Sequence, residues 1–163
     1  IQNTTGTQNT AIGDVALQNN TTASNNTVLG YASMYSNTTG ESNTSVGSES
    51  LFANTTGNFN TNIGFQTLRY NTTGSGNTAD GYRALYNNTT GIYNTASGQS
   101  ALSSNTTGNN NVAIGLNTLY NNNADNNTAV GFQAGNANTT GSNNILLGYQ
   151  AAPSNSSISN DCT

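Results

Sequence analysis

The sequence predicts an all-β chain wound as a parallel β-solenoid, a β-roll or β-helix of nine coils, and three observations carry that prediction. Glycines recur at Gly13, Gly30, Gly47, Gly64, Gly81, Gly98 and Gly115, always 17 apart, then at Gly131 after 16 and Gly148 after 17. A unit this short excludes helical-hairpin repeats and propeller blades, which need about 33–47 residues. No stretch places apolar residues at i, i+3, i+4 and i+7, and β-branched residues and Asn stand where helix formers would be needed. If one repeat makes one coil, equivalent residues stack about 4.8 Å apart, and nine coils give a rod of roughly 40 Å.

The composition fits a rod better than a globule. The 163 residues include 33 Asn and 27 Thr, with 32% hydrophobic residues, 5% charged residues and one proline. Disordered chains combine low hydrophobicity with high charge and proline, and neither is present. The repeat has to make so polar a chain foldable.

Written from its first Asn, the unit reads N-T-T-G-x-x-N-T-x-[IVL]-G-x-x-[AST]-L-x-x, clearest at Asn54 to Tyr70. N-T-T-G is a corner, since Asn and Gly tolerate left-handed geometry. The following N-T-x-[IVL] alternates like a strand, so Thr10 and Ile12 share one face and Asn9 and Ala11 the other. The slot of Ile12, Leu29, Val46, Ile63, Ile114, Val130 and Leu147 is expected to form an inward core ladder, leaving Asp80 and Ser97 in that slot as unexplained polar defects. The next glycine supplies a turn conformation closed to other residues. A second core ladder is expected from Leu17, Leu51, Leu68, Leu85, Leu102 and Leu119, with Met34 in the same slot. Large side chains follow the glycine at Tyr31, Phe65, Tyr82, Leu116, Phe132 and Tyr149. They form either an outer stacking ladder or a subunit interface, because a continuous apolar strip exceeds what a soluble monomer usually exposes. The pattern covers residues 1–152 and breaks after Pro153, making 153–163 a tail or cap.

Catalysis is excluded by what is missing. Without histidine there is no Ser-His-Asp triad, Cys-His pair or imidazole ligand, and the lone Cys162 cannot build a thiolate metal site. The six acidic residues are scattered, so neither a metal nor another cofactor is expected and the chain reads as no enzyme. Arg69 and Arg83, the only bases, cannot neutralise a phosphate backbone, so nucleic acid is not a partner. No apolar run is long enough to insert into a membrane. Cys162 is a terminus residue or a disulfide partner for another chain. The start at Ile1 in mid-pattern reads as a mature or excised segment.

The surface carries one regular chemical signal. N-x-[ST] sequons fall in register at Asn3, Asn20, Asn37, Asn54, Asn71, Asn88, Asn105 and Asn138. If N-T-T-G is an outward corner, covalent N-linked glycans would line one edge of the rod; the plainer alternative is that these residues serve only the turn. Regular threonines at Thr4, Thr5 and Thr10 also raise a less favoured reading as an ice-binding solenoid.

At Asn9 to Leu17, N-T-A-I-G-x-x-A-L resembles the head repeats of trimeric autotransporter adhesins, and the N-T-T-G-x-x-N-T-A-I-G-x-x-A-L arrays of phage tail-fibre-like proteins. The resemblance spans residues 3–152 and implies a left-handed β-roll, often homotrimeric, in an extracellular stalk or adhesive head. The period of 17 is longer than that of the adhesin heads. Together these features predict a structural segment of an extracellular fibre, self-associating into a filament or a homo-oligomer, of which a trimer is one form. The alternative is a binding module for a carbohydrate or receptor on a cell surface. The first coil has no obvious polar cap, which predicts end-to-end association or attachment to further coils.

Overall fold

Alternation over N-T-x-[IVL] produces one three-residue strand per repeat. The computed structural model, which describes residues 2–152, contains β1 Thr10–Ile12, β2 Thr27–Leu29, β3 Thr44–Val46, β4 Thr61–Ile63 and β5 Thr78–Asp80. It continues through β6 Thr95–Ser97, β7 Val112–Ile114, β8 Thr128–Val130 and β9 Ile145–Leu147. Each strand pairs in parallel with the next in straight register, so the nine strands form a single sheet in chain order. This is the β-solenoid that the 17-residue repeat predicts. The tail at 153–163, with Cys162, lies outside the described residues.

The strand alternation is as expected, but its polarity is reversed. Ile12, Leu29, Ile63, Ile114, Val130 and Leu147 are exposed and Val46 is half-buried, so the first expected core ladder faces outward. The inward residue is the strand centre: Val28, Ser45, Asn62, Ala79, Ala96, Ala113, Ala129 and Leu146, all buried. The space available explains the choice. Leu17, Met34, Leu51, Leu68, Leu85, Leu102 and Leu119 fill the interior as expected, and opposite them most coils have room only for a small residue. The last coils show the compensation: the leucine slot becomes Gly135 and the strand centre becomes Leu146. A Cβ on Gly135 would lie 2.7 Å from Leu119 Cδ2 and 2.8 Å from Leu146 Cδ1. With the ladder outside, Asp80 and Ser97 are not buried defects. They stand on the outer face.

Two asparagine ladders complete the interior. In the corner ladder, Asn54 Nδ2 donates to Asn37 Oδ1 in the preceding coil (2.9 Å) and to the carbonyl of Gly57 in its own corner (3.0 Å). Asn20, Asn37, Asn71, Asn88 and Asn105 repeat this pattern. In the ladder that enters the strand, Asn60 donates its backbone N–H and Nδ2 to Asn43 Oδ1 and its Nδ2 also to Gly74 O, bonding the coils on both sides. A side-chain amide suits this work because it offers two donors and an acceptor to backbone groups that would otherwise be buried unpaired. In coils two to four, a buried hydroxyl chain, Ser33–Ser45–Ser50–Thr67, replaces alanines elsewhere in the rod.

The coil closes through left-handed backbone at non-glycine positions. Leu68 has φ +48° and Gln66 φ +55°, with equivalent values at the same slots in other coils. Each such residue costs about 1–2 kcal/mol, offset where the turn drives a leucine into the core. The glycine after the strand is stricter: Gly64 has φ +133°, and a Cβ there would meet the Gly81 carbonyl oxygen at 2.8 Å.

Candidate functional site

The outward face of the sheet is one candidate surface. Thr10, Ile12 and their counterparts project from it in two straight rows, because the strands stack without offset. The six large residues expected at an interface border this face directly. Tyr31, Phe65, Tyr82, Phe132 and Tyr149 are exposed, Tyr149 to 74%, and Leu116 is half-buried. Phe65 stacks on Tyr82 (centroids 5.6 Å apart) and Phe132 on Tyr149 (5.3 Å). The structure therefore exposes both predicted sets, the interface row and the misassigned core row, two residues apart in each coil.

A second surface lies further along the coil and was not read from the sequence. Tyr35 stacks on Phe52, and the Arg69 guanidinium sits over both Phe52 (5.2 Å) and Tyr70 (5.0 Å). Tyr70 meets Tyr86 edge-on, and Arg83 lies over Tyr82 and Tyr86. Glu49 accepts from Arg69 Nε at 2.8 Å and from Gln66 Nε2 at 2.7 Å. Those two donors hold the Glu49 carboxyl below the ordinary carboxylate range, the Gln66 bond contributing most. Arg83 donates Nε to Gln66 Oε1, extending the row by another coil. The 17-residue register carries a signal for this cluster: Glu49, Gln66 and Arg83 share one slot, and Tyr35, Phe52, Arg69 and Tyr86 another.

Beside Tyr70 runs an open groove of about 700 Å³, walled by the Tyr70 ring and by Thr72, Thr89 and Thr106. The hydroxyls of Thr72 and Thr89 donate to carbonyls of the following coil. Asn87 and Ser104 line it with side chains that are not engaged by other described residues.

The in-register sequons are placed against glycosylation. Asn20, Asn37, Asn54, Asn71, Asn88, Asn105 and Asn138 are buried, and their Nδ2 atoms, where a glycan would attach, donate within the ladder. A sugar would displace those bonds and have to occupy the interior. Asn3, in the first coil, is exposed, yet its Nδ2 also donates to Gly6 O. The ice-binding geometry is narrower than the threonine count suggests. Thr4 and the threonines beneath it at Thr21, Thr38 and Thr55 spend their hydroxyls on backbone carbonyls, while the Thr5 row, with Thr22, Thr39 and Thr56, and the Thr10 row keep theirs outward.

No known family model, curated protein or solved structure matches the chain. Among the described residues no three His, Cys, Asp or Glu gather as a metal site, and no helix is long and apolar enough to cross a membrane.

Proposed function

We propose that the chain is a rod-like structural segment of an extracellular fibre, associating with copies of itself through the outward face of its sheet. The observation that carries this reading is the exposed row from Ile12 to Leu147, flanked by the aromatic row from Tyr31 to Tyr149. Contiguous apolar surface on this scale marks an interaction site more often than a free surface. A stack of straight-registered coils is also stiff along its axis, each coil touching only its neighbours. The resemblance of N-T-A-I-G-x-x-A-L to adhesin heads and tail-fibre arrays supports placement outside the cell. The test is sedimentation velocity over a concentration series. Self-association that Ile63→Glu abolishes while circular dichroism is unchanged supports the reading; a monomer at every concentration refutes it.

The groove beside Tyr70 favours a second reading, a binding module for a surface carbohydrate. A tyrosine ring, a row of threonines and free amide and hydroxyl groups suit the apolar faces and hydroxyls of a sugar. With no carboxylate or cation lining the groove and a net charge of −4, an uncharged glycan fits best. Native gels containing a neutral polysaccharide test it: retardation that Tyr70→Ala removes supports it, and unchanged mobility in every gel refutes it.

A further inference from the structure

The outer strand row has an internal symmetry that its inward assignment would have concealed. From coil two to coil nine it reads Leu29, Val46, Ile63, Asp80, Ser97, Ile114, Val130, Leu147. Read from its two ends, this is Leu with Leu, Val with Val and Ile with Ile, with Asp80 and Ser97 at the centre. The straight register places these eight residues on one line down the sheet. A line of side chains that repeats in reverse is complementary to itself about a two-fold axis crossing its midpoint.

We infer that two copies pair face to face and antiparallel, with the two-fold axis between β5 and β6. This rests on the self-association proposed above and specifies its partner, symmetry and register. The axis lies in the interface, perpendicular to both rods, so each row meets its own counterpart and only the coil order reverses. Leu29 meets the other copy's Leu147, Val46 meets Val130, Ile63 meets Ile114, and Asp80 meets Ser97. Ile12, in the first coil, falls beyond the overlap.

The polar centre decides the direction. Asp80 is exposed, Ser97 is half-buried, and neither side chain has a hydrogen-bond or ion-pair partner among the described residues. Any parallel arrangement about an axis along the rod, a trimer included, puts each coil against its own copy and apposes Asp80 carboxylates in an apolar interface. Like charges directly opposite are destabilising, and a buried charge without a partner is costly. The antiparallel pair gives each Asp80 a Ser97 hydroxyl that can donate to it, and sets the two carboxylates diagonally. A hydrogen bond to a charged acceptor is among the stronger kind.

Eight strands about 4.8 Å apart, each three residues and so about 10 Å long, offer roughly 400 Å² per copy, and the large side chains from Tyr31 to Tyr149, two residues further along each coil, have to add the rest of the ~800 Å² of a standard interface. An isologous two-fold contact of this type closes on itself, so it yields a discrete pair with the rods pointing in opposite directions. Within a fibre it would join two strands of opposite polarity.

Disulfide trapping in the full chain, with Cys162→Ser in every variant, separates the arrangements. Ile63→Cys and Ile114→Cys proteins are prepared singly, mixed and oxidised. Antiparallel pairing predicts a mixed 63–114 dimer and little product from either protein alone. A parallel pair or trimer predicts 63–63 and 114–114 products and overturns the inference while leaving self-association intact; the absence of any dimer in sedimentation overturns both.

Discussion

Replacing Asn60 with alanine tests the claim that asparagine amides serve as the core of this rod. Asn60 is buried, and its Nδ2 donates to Asn43 Oδ1 at 3.1 Å and to Gly74 O at 3.0 Å. Its Oδ1 accepts from the Asn77 backbone N–H at 3.0 Å and from Asn77 Nδ2 at 3.2 Å. The substitution removes all four bonds. Gly74 O keeps a donor in Asn71 Nδ2, and Asn77 Nδ2 keeps Gly91 O, but the Asn77 N–H loses its acceptor. Four bonds at about 1 kcal/mol each, one of them leaving a buried donor unpaired, give an expected loss of about 3–5 kcal/mol. That is a large share of a total stability of about 5–15 kcal/mol. With a urea dependence of about 1–3 kcal/mol/M, the midpoint should fall by roughly 2 M. Urea unfolding followed by circular dichroism measures it, with Asn87→Ala as the control because that amide makes no bond to another described residue. A loss for Asn60→Ala within about 0.5 kcal/mol of the control, the range of ordinary surface substitutions, would refute the reasoning.

Five other substitutions probe the core, the outer row, the turns and the surface cluster. Leu68→Ala should cost about 2–5 kcal/mol, whereas Ile63→Ala, on the outer row, should leave monomer stability within about 0.5 kcal/mol; equal losses in thermal melts would return Ile63 to the core. Gly64→Ala should unfold or severely destabilise the rod, since its Cβ would meet the Gly81 carbonyl and its φ is +133°; a normal melt would show the turn to be adaptable. Phe59 has φ +58° and is 68% exposed, so Phe59→Asn should stabilise by about 0.5–1 kcal/mol through relief of left-handed strain, as a raised urea midpoint. Because its pKa is depressed on folding, Glu49 contributes stability that is present above the ordinary carboxylate pKa and is lost as pH falls through the folded value. Glu49→Gln should therefore flatten the stability profile on the acid side, below the ordinary carboxylate range, and an unchanged slope would contradict the assignment.

The repeat length, the strand position, the corner and the leucine ladder were all legible in the sequence. Each depends on local chemistry repeated in register. The direction of the strand faces was not. Alternation establishes that Ala11 and Ile12 lie on opposite sides, and the ordinary preference for burying the larger residue then selects Ile12 wrongly. The asparagines misled for a related reason. N-T-T is both a sequon and a corner motif, and only burial distinguishes an amide offered to an enzyme from one bonded to Asn37 and Gly57 in the case of Asn54. The cluster of Glu49, Arg69, Arg83 and Tyr86 is hard to see in the sequence because its members are scattered along the chain and meet only when successive coils stack.

By itself, then, the sequence determined that the chain is a β-solenoid. A 17-residue period in turn-forming, strand-forming and apolar slots admits little else, since only coil-on-coil stacking gives so polar a chain enough hydrogen bonds. Which side of each strand faces in was decided by the tertiary structure. The leucine ladder and two asparagine ladders leave a narrow interior, so volume and hydrogen-bond demand, rather than the hydrophobicity of single residues, assign each slot to the inside or the outside.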